Sequence, residues 1–505
     1  LEIEVIFVTK LKQQFWRATR LFQQLMPPPL LATLLCAGLA AYVAFVPPIN
    51  GLADNGDFYR AMYTNGIYKL LGTHYNYFDF VTQKFGLMKY YNDYRSVNFS
   101  SQPLFVKVAI GLNKLFYSKT VFDIRFMGIV NVIPYLGGIY LLTDALTYPA
   151  KRFRNYLIAG LVVLVFGDSS FTLYLNSFFA EPQMLGLTLI SFSAVLLLAR
   201  QRYRRRWPLV ALYFVCTVLL ITNKSQNAPL ALSFVVVTIG LLFLPHFNAM
   251  RVYLLAGMVM ILITGGLTYK LIGQDFVDIN TYQTFSHGIL TQTDDPSKDL
   301  AQNGIDEQYA LMQSQDYYAK QFATIQASGS YVKKNLVSKL GVGWVLKYYA
   351  THLKQFGKLM DLAAADVMIT QVKAVGDYTQ ASGAPAGKQL TFFTTYSQIA
   401  GAFFPQKFAF NCLLVVALVM VYLVGFYNDL RQQRIEGVLR FFLVLGFLSI
   451  FIFVPIISII GDGDADLAKH LFMVPVSIDL IVLLFISDTL NHRLWHAYRE
   501  EDQDA

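Results

Sequence analysis

Charge is what this 505-residue chain has least of: charged residues make up 14% of it and hydrophobic residues 55%, against about 25% charged in an ordinary soluble protein. That scarcity excludes a disordered chain and an ordinary cytosolic enzyme. Cysteine is nearly absent, and Cys36, Cys216 and Cys412 each lie inside a long apolar run. A thiol there behaves as a small hydrophobe, so neither a disulfide framework nor a cysteine metal site is expected. There is no Walker loop, dinucleotide fingerprint or zinc-hydrolase motif, and so no visible module for a soluble nucleotide donor. The formal charge of +9, in so apolar a chain, reads as membrane-orienting charge, and nucleic acid is not an expected partner. No cleavable signal peptide is expected either, because the apolar run from Leu30 to Val46 continues into Pro47-Pro48 without a small-residue cleavage pattern.

What the chain has in abundance is long apolar runs. A bilayer core of about 30 Å takes roughly 20 apolar residues per helix, and such runs predict about ten spans: 28–47, 126–147, 153–169, 182–200, 207–223, 229–246, 250–272, 408–428, 437–460 and 468–488. Lys and Arg gather at Lys10 to Arg20, Lys151-Arg152-Arg154, Arg200 to Arg206, Arg431-Arg434, and Arg493 with Arg499. Ten spans with both termini cytoplasmic put all of these inside. The expected fold is therefore an all-α polytopic membrane protein, with residues 1–272 an N-terminal transmembrane module, 273–407 a large outer segment and 408–505 a C-terminal transmembrane module. Outer loop 49–125 and segment 273–407 should carry amphipathic juxtamembrane helices, among them 103–117 with Lys107 and Lys114 on one face, and 331–360 with Trp344, Tyr348 and Tyr349 at headgroup level.

Most acidic residues fall on the predicted outer side, whereas the interiors of the spans hold almost no ionisable group. A transporter ordinarily needs such groups at mid-membrane. The run Asp54-Asn55-Gly56-Asp57-Phe58-Tyr59-Arg60 follows the first span by a few residues. One reading is an N-cap with Arg60 in an i,i+3 pair; the other is a pair of carboxylates, Asp54 and Asp57, placed to take a proton or hold a metal. Glu181, before Pro182 at the return of the fourth span, is either a solvated helix-start residue or a second functional carboxylate, with Asp168 a less favoured alternative.

Asp54 to Arg60 soon after the first span, followed by the helix from Pro103 to Tyr117 and by Arg125 at the start of the next span, resembles the GT-C class of polytopic glycosyltransferases, which use sugars carried on polyprenyl phosphates. The resemblance implies that an acidic residue at the start of the first outer loop is catalytic; Asp57 is the nearest positional match and Asp54 the next. In relatives of the mannosyl- and aminoarabinosyl-transferase type a second acidic residue occupies an outer turn like that of Glu181. The stretches Thr284 to Leu290, Asp294-Asp295, Asp299 to Ile305, Trp344 to Gly383 and Asp466 to Phe472 are similar to WsfD-type hexose transferases of bacterial surface-glycan assembly.

Several polar side chains at the outer edge are candidates for donor phosphate or substrate: Arg60, Lys224, His287, Lys469 and His470. Charge-assisted hydrogen bonds suit them to that task; snorkelling or helix-end solvation for Lys469 and His470, and plain turn or loop structure for Lys224 and His287, is the other reading. The turn Gly461 to His470 looks like a calcium loop, but an EF-hand starting at Asp462 needs Gly at its sixth place and Glu at its twelfth, where Leu467 and Met473 stand. Asp462, Asp464 and Asp466 thus join Asp57, Glu181 and Asp294-Asp295 only as generic candidates for a divalent cation, magnesium or manganese. His352 and His74 form no metal spacing, and the sequon Asn98-Phe99-Ser100 reads as a chance match. The resemblance implies an inverting transfer of a hexose-type sugar from a polyprenyl-phosphate donor to a glycan or glycolipid acceptor at the outer face of a bacterial cytoplasmic membrane. A lipid-linked-glycan flippase and a noncatalytic assembly scaffold stand as the alternatives.

Overall fold

The computed structural model describes residues 23–54, 56–70, 79–89, 92, 98–149, 153–244, 248–318 and 325–495. The basic run Lys10 to Arg20, Lys151-Arg152, Arg499 and His74 lie outside them. Ten apolar helices coincide with the expected spans: α1 (Pro28–Phe45), α2 (Arg125–Thr147), α3 (Arg154–Phe166), α4 (Glu181–Ala199), α5 (Trp207–Asn223), α6 (Leu230–Leu241), α7 (Asn248–Lys270), α8 (Phe408–Arg431), α9 (Glu436–Asp462) and α10 (Met473–Leu490). The protein is an all-α polytopic membrane protein, but the lengths differ from expectation. Seven of these helices are long and apolar enough to cross a membrane unaided. α3 becomes an eighth only together with Ser169–Leu175, across a 51° bend. The bend falls at Gly167-Asp168, where Asp168 accepts hydrogen bonds from Ser170 N at 2.9 Å, Ser397 N at 3.0 Å and Ser397 Oγ at 2.9 Å. Asp168 is thus a helix cap tied to another segment. α5 and α6, at 17 and 12 residues, are shorter than the bilayer core requires.

α4 is the axis of the bundle. It is apolar on all sides, and every residue from Glu181 to Ala199 is buried, as a helix without a polar face must be. Its backbone approaches α2 so closely that a Cβ on Gly186 would stand 2.9 Å from the Pro134 carbonyl carbon and the Tyr135 nitrogen. α9 packs against α6, α8 and α10 and closes the other side.

The two ends of the bundle differ in charge. At one end, Asp488 of α10 is fully buried and accepts hydrogen bonds from Arg200, Arg440 at 2.8 Å and Arg493 at 2.9 Å. Arg493 also donates to the carbonyls of Leu146 and Tyr148, so one carboxylate pins the ends of α2, α4, α9 and α10 together. Nearby Asp144 pairs with Arg202 at 3.1 Å.

At the opposite end, the described parts of 49–125 and 273–407 fold over each other. β1 (Asn50–Leu52) pairs with β5 (Val375–Tyr378), and β2 (Ile67–Tyr68), β3 (Lys84–Leu87) and β4 (Val121–Asp123) form a second antiparallel sheet. Asp377 on β5 is fully buried, neither carboxylate oxygen has a hydrogen-bond partner among the described residues, and burial reinforced by Asp79, against the opposing charge of Lys373, pushes its carboxyl up to about 7. The surface helix Gln102–Phe116 forms as expected, presenting Leu104, Val108, Leu115 and Phe116 outward with Lys107 and Lys114. The helix expected over 331–360 is broken into Ser330–Asn335, Val342–Thr351 and Leu353–Asp366. Its breaks fall at Leu336–Gly341 and at His352, whose backbone is not helical.

Candidate functional site

The acidic motif after α1 divides its work between its two aspartates. Asp54 Oδ1 accepts from Gly56 N at 2.7 Å and Phe58 N at 3.1 Å, and Asp54 Oδ2 pairs with Lys69 at 3.3 Å. This carboxylate makes the turn that starts the short helix Phe58–Met62, and burial pushes its pKa up. Asp57 stands at the cap position of that helix without making a side-chain cap bond. Its carboxylate bridges two cations instead: Oδ1 meets Arg60 at 3.0 Å and Oδ2 meets Lys469 at 2.8 Å. Burial pushes the Asp57 carboxyl up, and Lys469, Arg60 and the more distant Lys224 overcome it, holding the group well below the usual carboxylate range.

Asp57 lines an open cleft of about 820 Å³ together with Arg60, Glu181, Lys224 and Lys469. Glu181 is fully buried, and its Oε1 pairs with Lys224 at 3.1 Å. Lys469 also lies 3.9 Å from the centroid of the Phe179 ring, and Arg60 stacks on Phe276 at 3.9 Å, contacts that hold both cations by cation–π attraction. The cleft therefore alternates two carboxylates with three cations at the rim of the bundle. Five candidates scattered over more than four hundred residues converge here: Asp57, Arg60, Glu181, Lys224 and Lys469.

The remaining candidates gather elsewhere. His287 sits in a π-helical turn, Thr284–Ile289, with Nδ1 2.8 Å from Asp464 and Nε2 3.4 Å from Asp316. Burial alone would lower its pKa; the hydrogen bonds and charges of Asp316 and Asp464 overcome this and raise it to about 9. His470 pairs with Asp462 at 3.0 Å. The His287–Asp464 pair locks the segment 273–407 onto the turn that carries Lys469, and Asp464 N also donates to the His287 carbonyl at 3.1 Å; the His470–Asp462 pair lies within that turn. Asp466 is exposed in a left-handed conformation at the start of the turn Leu467–His470. Asp295 caps the helix Pro296–Gln302, and Asp294 is exposed. Among the described residues, no three side chains of His, Cys, Asp or Glu converge as a metal-binding set; a divalent cation at Asp57 or Glu181 would compete with Lys469 and Lys224.

Several cleft residues carry no sequence signal of their own. Asn98 and Ser100, the ends of the sequon, line it, as do Gln102, Phe178 and Asn223. Asn98 Oδ1 accepts from Gly273 N at 3.0 Å, and Ser100 Oγ donates to the Asn223 carbonyl at 2.8 Å. For Asn98, Ser100 and Gln102 the sequence hint was their position, at the start of a surface helix that begins with Gln102-Pro103.

A helical bundle with an ion-paired cleft at one end, where the segments 49–125 and 273–407 meet, defines a polytopic membrane protein with a polar site at one end of its bundle. The chain belongs to the family described as YfdI N-terminal transmembrane domain, which matches residues 14–505, a family of GT-C-like membrane glycosyltransferases. No curated protein and no solved structure matches the chain significantly.

Proposed function

We propose that the protein is an inverting glycosyltransferase that moves a hexose-type sugar from a polyprenyl-phosphate donor to a glycan or glycolipid acceptor at the outer face of a bacterial cytoplasmic membrane. The observation that carries the reading is the bridging of Asp57 between Arg60 and Lys469 in a cleft at the rim of the bundle. A lipid phosphate keeps its charge at headgroup level, so a cationic cleft there meets it without drawing charge into hydrocarbon. In this reading Lys469, Arg60 and Lys224 receive the phosphate.

The same cations hold down the basicity of Asp57 in the free protein. When the phosphate shares them, that restraint weakens and Asp57 becomes a better proton acceptor while the donor is in place. The acceptor hydroxyl attacks the anomeric carbon, its proton passes to Asp57, and the carbon–oxygen bond to phosphate breaks with its electron pair on the departing polyprenyl phosphate. Charge grows on that oxygen, where the fixed cations have their largest effect. Glu181, held by Lys224, supplies a second carboxylate to the same cleft.

The test uses the full chain in lipid nanodiscs with labelled polyprenyl-phosphate hexose and membrane glycolipid, with added magnesium or manganese and with chelator. Asp57→Asn should lower transfer by about 100-fold or more while retaining donor binding. Transfer equal to wild type removes Asp57 from the chemistry. Movement of intact donor across the bilayer without sugar transfer favours the flippase, and no activity of either kind favours the scaffold.

A further inference from the structure

Beneath the cleft, three side-chain amides from three helices form a directed chain. Asn223 Nδ2, at the end of α5, donates to Gln183 Oε1 on α4 at 2.9 Å; Gln183 Nε2 donates to Asn131 Oδ1 on α2 at 3.3 Å; and Asn131 Nδ2 donates to the Leu175 carbonyl at 3.0 Å. All three side chains are buried. A backbone carbonyl can only accept, so Leu175 fixes which way Asn131 faces. Asn131 then fixes Gln183, and Gln183 fixes Asn223: reversing any one amide sets oxygen against oxygen or nitrogen against nitrogen. The order leaves Asn223 Oδ1 as the end of the chain, buried and without a hydrogen-bond partner among the described residues. Asn223 lines the cleft, and so does Glu181, whose Oε2 is likewise buried without a hydrogen-bond partner among the described residues.

Two orphaned acceptors in the wall of one cleft call for donors. The cations nearby do not fill that need, since Lys224 holds the other oxygen of Glu181 and Lys469 holds Asp57. A ligand carrying both a phosphate for the cations and hydroxyl donors for the two acceptors satisfies the whole cleft; a bare prenyl phosphate satisfies only the cations. We infer that Asn223 and Glu181 form the sugar-hydroxyl subsite of this cleft, with Asn223 a specificity-determining residue whose orientation is set from below by Gln183 and Asn131. This rests on the glycosyltransferase reading and adds to it the residues that distinguish a sugar-bearing lipid from a sugar-free one. Gln183 and Asn131 do not line the cleft; they act as positioning residues.

The probes are a polyprenyl-phosphate hexose and the same polyprenyl phosphate without sugar, each titrated against the full chain in nanodiscs. Wild type should bind the sugar-bearing lipid more tightly. Asn223→Ala should reduce the ratio of the two affinities about fivefold to tenfold, the loss of one hydrogen bond to a fixed acceptor, with sugar-free binding unchanged. Gln183→Met keeps the side-chain volume and never touches the ligand; it should reduce the same ratio about threefold or more by freeing Asn223 to rotate. Unchanged ratios in both variants overturn the subsite while leaving the glycosyltransferase reading intact. An equal loss of both lipids shows a role in folding alone and overturns it as well. Wild type that binds neither lipid overturns the glycosyltransferase reading and the subsite together.

Discussion

Replacing Lys469 with methionine keeps the bulk of the side chain on Phe179 and removes the ammonium that lies 2.8 Å from Asp57 Oδ2. In the wild type, burial raises the Asp57 carboxyl and the surrounding cations more than offset it. A hydrogen bond between charged groups contributes about 1.5–3 kcal/mol, or about one to two pK units. The Asp57 side chain is 29% exposed, so solvent screens part of this and the lower end is expected, an upward move of about one unit. Burial continues to act in the variant, with Arg60 the remaining near counter-charge. The assay is kcat/KM for sugar transfer against pH, because that ratio reports ionisations of the free enzyme. Wild type should lose no activity through Asp57 in mildly acidic buffer, since its carboxyl stays ionised there. Lys469→Met should show a lower plateau, from the lost phosphate contact, and an acid limb about one unit higher than that of the wild type, with both limbs below the mildly acidic range, so the profile is carried into strongly acid buffer. A lower plateau with an acid limb that overlays the wild type would refute the coupling of Lys469 to a catalytic Asp57.

Three further outcomes follow from individual contacts. Lys224→Met leaves the fully buried Glu181 carboxylate without its partner, so it should destabilise the protein by about 3–5 kcal/mol, and adding Glu181→Gln should restore much of the loss; thermal unfolding in detergent of the two single variants and the double variant checks the sign. The His287 pKa is raised to about 9 from an unfolded value of about 6.5, so its ion pairs stabilise the segment 273–407 fully below about pH 6.5 and that stability fades as pH climbs through 9; His287→Gln should flatten this stretch of the melting profile. Asp377 is the opposite case: its carboxyl titrates near 7, above the unfolded value of about 4, so stability should fall as pH rises from 4 through 7. Asp377→Asn should therefore melt higher than wild type at pH 8 and like it at pH 4.

The apolar runs made the bundle legible in the sequence, because a helix that must bury its backbone in hydrocarbon needs a length the eye can measure. Legibility failed where a polar residue changed the path. Asp168 bends α3 because it accepts hydrogen bonds from both Ser170 and Ser397, and Ser397 lies far along the chain. The break at His352 is likewise invisible in an amphipathic pattern that continues on both sides. Within the acidic motif, the resemblance ranked Asp57 above Asp54, but residue type and spacing did not separate the two. Their difference lies in the partners, the local backbone N–H groups for Asp54 and the remote Lys469 for Asp57.

Composition and run length by themselves determined the membrane class, the near absence of charge from the spans and the placement of acidic and basic residues near the helix ends. These are one-dimensional properties, set by the transfer cost of each residue whatever its neighbours. The tertiary structure alone decided which charges meet. It joined Asp57 to a lysine 412 positions away and Glu181 to one 43 positions away, and it aligned Asn223, Gln183 and Asn131 into a single directed chain. Hydrogen bonds and ion pairs act over a few ångströms in space, and separation along the sequence does not report that distance.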